Sequence, residues 1–203
     1  YAAMVYTGMV SRTDGFKLIK ARSLAMQKAA ENSSGAMFAI IGSTPADIEK
    51  VCAETEGYVV PVNYNSSVQT VIAGEEAAAQ AAADTLAAAG ARAIRLNVAA
   101  AFHSKLMQGA ADEFKPAAEQ ISFKTPEITM LSNISGTVLD SIDNMPERLA
   151  LHIVSPVKFT SELAYFSENG YDTFVECGPG KVLTGLVKKT LKGVNAMNVQ
   201  DAD

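Results

Sequence analysis

The run from residue 35 to residue 98 constrains the fold more than any other part of the chain. Ala36-Met37-Phe38-Ala39-Ile40-Ile41 has the length and apolar content of a strand. Thr44 and Pro45 then cap and start a helix over residues 45–55, with Ile48 and Val51 facing inward. Residues 58–63 read as the next strand, Asn65-Ser66-Ser67 as a turn, and residues 69–73 as a third strand. The alanine-rich stretch over residues 76–89 is a strong helix stopped by Gly90, and residues 93–98 supply a last strand. The order β-α-β-β-α-β is the arrangement of a ferredoxin-like small domain.

The flanks read differently. Residues 1–10 form an apolar helix ending near Ser11, and residues 15–30 a second one with Phe16, Ile19, Ser23 and Met26 along a broad face. A helix is expected over residues 105–119, then a proline-interrupted strand that includes residues 128–131, and a loop carrying Asn133 and Gly136. Short helices follow around residues 146–153 and 157–168, and residues 171–177 read as a buried strand with charge at its mouth. Gly178-Pro179-Gly180 turns the chain into a helix beginning near Lys181. The expected organisation is a larger α/β domain, residues 1–34 and 99–203, with the small domain of residues 35–98 inserted.

At 203 residues and 48% hydrophobic content, there is enough chain for one large domain or two small ones with a buried core. A formal charge of −5 argues against a nucleic-acid backbone as partner. Lys20 with Arg22, Arg92 with Arg95, and Lys188-Lys189 with Lys192 are small basic patches for an acidic partner protein, or solvated helix surface. Cys52 and Cys177 are the only cysteines, so reduced structural thiols are expected and no disulfide scaffold. No apolar run approaches the roughly 18 residues of a membrane-spanning helix, so no membrane partner is expected and the cytoplasm is the default compartment. Tyr1-Ala2-Ala3-Met4-Val5-Tyr6 has no basic segment before it and does not resemble a signal peptide; opening inside a helical pattern without a cap, it suggests a truncated or nicked chain.

One histidine stands where a strand-like run gives way to a helical one, in Ala101-Phe102-His103-Ser104. Histidine serves as a general base near neutral pH, but it needs a positioned nucleophile, and none is identifiable in this sequence. Taken alone, a histidine beside Phe102 is more often structural or solvent-facing than catalytic. Asn63 and Asn65 suit either a cleft wall or turn capping. A two-histidine metal site is unconvincing, because no His, Cys and carboxylate set has ligand spacing. Gly178-Pro179-Gly180 lacks the pattern of a phosphate loop.

The segments Tyr1-Ala2-Ala3, Arg22 with Met26-Gln27, Gly35-Ala36-Met37, Asn63-Tyr64-Asn65 and Val71-Ile72-Ala73-Gly74 occur in a telling order. They continue through Ala101-Phe102-His103-Ser104, Ser155-Pro156-Val157 and residues 176–183, Glu-Cys-Gly-Pro-Gly-Lys-Val-Leu. Together they resemble the malonyl-CoA:acyl-carrier-protein transacylase family over essentially the whole chain. The resemblance implies a hydrolase-like α/β acyltransferase domain and a seryl-ester mechanism in fatty-acid biosynthesis. Malonyl-CoA is then the substrate, and the phosphopantetheine thiol of acyl-carrier protein the acceptor, with no permanently bound cofactor. It places the nucleophilic serine in an elbow directly before Tyr1, so the domain here is expected to be incomplete and inactive alone, with the upstream segment a partner as a separate chain.

The same resemblance makes His103 the general base and Arg22 the clamp for the malonyl carboxylate, a role suited to a planar guanidinium. Phe102 resembles the form associated with malonyl over methylmalonyl selectivity, although a core-packing ring is the competing reading. Asn65 joins the substrate-binding set and Asn63 supports it. His152 falls where the family commonly has Gln, near a backbone carbonyl that orients the catalytic imidazole, and is expected to support His103 rather than act as a second base. Two further readings remain: a carrier-binding or structural fragment without activity, and an acyltransferase using another acyl-CoA.

Overall fold

In the computed structural model, which describes residues 1–31, 33–98 and 100–201, helix α1 is confined to Ala2–Tyr6. The helix expected over residues 1–10 stops early because the chain folds back: the amides of Met9 and Val10 both reach the Met4 carbonyl, and both side chains are buried. Helix α2 runs Arg12–Glu31, three residues ahead of the expected start. Ser11 sets that start, accepting from the Asp14 amide at 3.0 Å and donating to the Asp14 carboxylate at 2.7 Å. The inward face is also rotated from the expected one. Gly15, Leu18 and Ala25 are buried, Phe16 is 69% exposed, Ile19 and Ser23 face solvent, and Met26 is half-buried. The cause is a close approach: a Cβ on Gly15 would lie 2.3 Å from Val5, so α1 packs on α2 at the one residue that lets it.

Strand β1 (Gly35–Ile41), helix α3 (Pro45–Glu54), strands β2 (Val59–Ser66) and β3 (Gln69–Glu75), helix α4 (Glu76–Ala88) and strand β4 (Arg92–Arg95) follow in the expected order. Thr44 caps α3 through the Asp47 amide, with Pro45 in the first turn. The four strands form one antiparallel sheet in the order β2-β3-β1-β4. Two boundaries differ from expectation. β2 continues through Asn65 to Ser66, so Asn65 lies in a strand and not in a turn; β4 ends at Arg95, although the Leu96 amide still bonds the Met37 carbonyl at 2.9 Å.

Both faces of β1 are buried. Ala36, Phe38 and Ile40 pack with α3 and α4 through Ile48, Ala79 and Leu86, whereas Met37 and Ala39 lie with Val62, Val71, Ala73 and Ala101 on the other face. That second face is covered by the segment that carries the histidine, since Phe102 and Leu106 pack against the same cluster.

After a 3₁₀ turn at Lys105–Met107 come α5 (Gln108–Ala118), the short strands β5 (Leu131–Ser132) and β6 (Thr137–Val138), and helices α6 (Met145–Val154) and α7 (Phe159–Glu168). The expected strand over residues 128–131 is therefore only the start of a small hairpin. Met4, Leu18, Met107, Phe114, Leu149 and Ile153 join α5 and α6 to α1 and α2 in a separate core. Strand β7 (Thr173–Cys177), helix α8 (Val182–Thr190) and strand β8 (Asn195–Val199) close the chain as a parallel pair with a crossover helix. β7 is less buried than its sequence suggests, with Val175 exposed, and β8 went unread because Asn195-Ala196-Met197-Asn198-Val199 lacks a continuous apolar run. The Glu176 carboxylate accepts from the amides of Leu183 and Thr184, so the loop at Gly178-Pro179-Gly180 leads into a helix start already occupied by a side chain. Among the described residues no helix is long and apolar enough to cross a membrane.

Gly35 is where the sheet meets the histidine segment, and an added Cβ would sit 2.8 Å from the Ala101 Cβ and 3.0 Å from its amide nitrogen. Gly35→Ala should therefore destabilise the protein by roughly 1–3 kcal/mol, read by urea unfolding, with the slope of the transition unchanged.

Candidate active site

His103 takes φ +60°, a left-handed conformation uncommon for a residue with a side chain. Ser104 turns the chain out of it: its buried hydroxyl donates to the Ala101 carbonyl at 2.6 Å and accepts from the Leu106 amide at 3.3 Å. The imidazole Nδ1 lies 3.1 Å from the backbone carbonyl of His152 at the end of α6. A carbonyl can only accept, so this contact calls for hydrogen on Nδ1 and leaves Nε2 as the basic nitrogen. The two histidine rings meet edge to face with centroids 5.8 Å apart.

Arg22, on α2, brings its guanidinium over the Tyr1 ring at 5.8 Å from the centroid. It shares a cleft of about 540 Å³ with Phe102, whose other walls include Met26 and Gln27. Phe102 is half-buried and packs against both the helical core and the sheet, so its core-packing and cleft-lining readings hold together. Three buried polar atoms near one another, Tyr1 Oη, Arg22 Nε and His152 Nε2, have no hydrogen-bond partner among the described residues. Buried donors without partners are rare in folded proteins, and a guanidinium among them suits a carboxylate.

Asn63 and Asn65 lie on β2 and are not among the walls that Arg22 and Phe102 share. Asn63 reaches the histidines through the backbone. It forms an isolated parallel bridge to Val157, where the Val157 amide bonds the Val62 carbonyl at 2.8 Å and the Tyr64 amide bonds the Val157 carbonyl at 2.9 Å. The loop that follows His152 is thus tied to the edge of the small sheet. Arg95 of the expected basic pair is instead engaged, held by Glu76 and stacked over Phe38. Sequence reasoning missed Tyr1 beneath Arg22 and Ser104 as a cap; Ser104 ahead of Lys105-Leu106-Met107 carried a capping signal that was available. Among the described residues no group of three or more His, Cys, Asp or Glu side chains is placed to hold a metal ion.

The profile of the acyl transferase domain family matches residues 1–202. The chain belongs to this family. The malonyl CoA-acyl carrier protein transacylase of Escherichia coli K12 is 38% identical over 199 residues, covering 97% of this chain and 64% of that protein. The Bacillus subtilis strain 168 protein of the same description is 33% identical over 207 residues, covering all of this chain and 65% of the relative. The crystal structure of the Clostridium perfringens malonyl CoA-acyl carrier protein transacylase superposes with a TM-score of 0.93 at 36% identity, covering 98% of this chain and 63% of that one. A malonyl-transacylase solved in complex with a type II PKS acyl-carrier protein gives 0.91 at 35% identity, covering 98% and 65%. The chain therefore spans somewhat less than two thirds of the length of these relatives.

In this acyl transferase chain, burial disfavours the charged form of both imidazoles. Desolvation pushes His103 below its ordinary value and the Arg22 charge adds to this, while the backbone of His152 and Ser155 opposes it. His152 is pushed down to about 4, by burial first and then by the charges of His103 and Arg22. A histidine held below its unfolded value binds fewer protons folded than unfolded, so its contribution to stability is present above pH 6.5 and is lost as pH falls toward 4. Replacing His152 by Gln should remove up to a few kcal/mol of that pH dependence, on the order of 3 kcal/mol for a shift of this size, read as urea unfolding free energies between pH 7 and pH 4.

Proposed function

We propose that the chain carries the base and carboxylate clamp of an acyltransferase that moves malonyl from malonyl-CoA to the phosphopantetheine thiol of acyl-carrier protein, in fatty-acid biosynthesis. The observation that supports this most is His103, turned left-handed and hydrogen-bonded at Nδ1 by a backbone carbonyl, which presents Nε2 as a base. The likeness to relatives described as malonyl CoA-acyl carrier protein transacylases supports the substrate and the partner. On this reading residues 35–98 are a ferredoxin-like domain inserted into a hydrolase-like α/β domain of residues 1–34 and 99–203, the order β2-β3-β1-β4 being the support for it. The compartment it assigns is the cytoplasm.

The nucleophile is a serine outside these 203 residues. His103 Nε2 takes the serine proton as the oxygen attacks the thioester carbonyl; the C–S bond breaks, and the imidazolium returns the proton to the coenzyme A thiolate. The second half runs the same path with the carrier thiol. It gives its proton to His103, attacks the seryl ester, and the serine oxygen leaves with that proton. Arg22 pairs with the free malonyl carboxylate throughout, a role supported by its buried Nε, which has no partner among the described residues, and by its place in the wall of the cleft. Phe102, across the same cleft, narrows the space around the α-carbon.

In the protein that carries the serine, Arg22→Ala should lower kcat/KM for malonyl-CoA on the order of 100-fold, the equivalent of two charged hydrogen bonds, and leave an uncharged acyl-CoA unimpaired. Equal losses on both substrates would remove Arg22 from carboxylate binding. Because burial holds His103 below 6.5, the acid limb of kcat/KM should have its midpoint below that value.

A further inference from the structure

His103 cannot hold its own backbone shape. A residue with a side chain at φ +60° persists only where its neighbours fix it, and the Ser104 hydroxyl does part of this by bridging Ala101 and Leu106. The next amide, Lys105 N, opens a 3₁₀ turn and has no carbonyl partner within that turn. It donates instead to the hydroxyl of Tyr58, at 3.1 Å and 47 residues earlier in the chain. The Lys105 ammonium lies 3.9 Å from the centroid of the same ring, so one side chain receives both the backbone and the side chain of Lys105.

Tyr58 is itself fixed at both ends of its backbone. Its amide donates to the Glu75 carboxylate at 3.1 Å, and its carbonyl accepts from the Glu75 amide at 2.8 Å. Four and six residues further along, on edge strand β2, Val62 and Tyr64 bond both backbone groups of Val157 in the loop that follows α6. Lys105, two residues after His103, and Val157, five residues after His152, are therefore both tied to residues 58–64, the stretch that leads into and along β2. We infer that Tyr58 is a positioning residue, whose hydroxyl fixes the turn that presents the His103 imidazole. The inference rests on the reading of His103 as the general base for its effect on rate, but not for its effect on geometry.

Tyr58→Phe removes the hydroxyl and keeps the ring beneath Lys105; Lys105→Ala removes the ammonium and keeps the amide. In the 203-residue chain labelled at histidine, Tyr58→Phe should displace the His103 ring resonances and speed exchange of its Nδ1 proton, while Lys105→Ala leaves both near their original values. In the serine-bearing protein, Tyr58→Phe should lower kcat roughly five-fold, the loss expected for one net hydrogen bond, with KM for malonyl-CoA unchanged. Lys105→Ala should change kcat by less than about two-fold, as a surface ion contact would. Unmoved His103 resonances in Tyr58→Phe would overturn the inference, and so would equal effects of the two variants, which would mark the contact as general packing. Should His103→Ala keep full activity, the base reading fails; displaced resonances in Tyr58→Phe would still establish the positioning.

Discussion

Ala36 to Ile40 are all buried, so β1 requires a cover on each of its faces, and different parts of the chain provide them. The helix-bearing face is closed locally by α3 and α4, within the βαββαβ run. The other is closed by Ala101, Phe102 and Leu106, which flank the histidine. Covering that second face is what brings His103 to the sheet. The apolar free energy of the strand thus fixes the approach of the site segment, and the hydrogen bonds along β2 then set its details.

The small sheet was the most legible part of the sequence because its elements are short, strongly patterned and closed by local signals such as Thr44-Pro45 and Gly90. What could not be read was which residues of α2 face inward. Periodicity favoured the larger side chains Phe16 and Ile19, but contact with α1 at Gly15 turned the helix to bury Gly15 and Leu18 instead. Small residues win such contests when backbones must come close, and periodicity counts them as neutral. The extension of β2 through Asn65 was hidden for another reason. Two register shifts, between Pro61 and Asn63 and between Tyr64 and Ser66, break the alternation that a strand normally shows.

The residue types of the site were legible from their order along the chain, while their arrangement was not. Arg22 and His103 are 81 positions apart, and the sequence says nothing of the Tyr1 ring beneath the guanidinium or of the carbonyl at Nδ1. His152 shows why residue identity misleads here. The contact to His103 uses its backbone oxygen, an atom that every residue type possesses, so the identity of the side chain at this position does not decide that contact. Burial disfavours the charged form of its own ring, which meets the first histidine edge to face.

The close approach of Gly35 to Ala101 also bears on how the chain folds. It makes the intervening segment a closed loop whose ends are brought together by its own internal sheet. Joining distant residues costs chain entropy that grows only with the logarithm of loop length. A segment that folds from local contacts meets that cost before the long-range contacts form. The contacts within the sheet thus offset part of the entropy of bringing the imidazole to its carbonyl, although the sheet supplies neither group of that hydrogen bond.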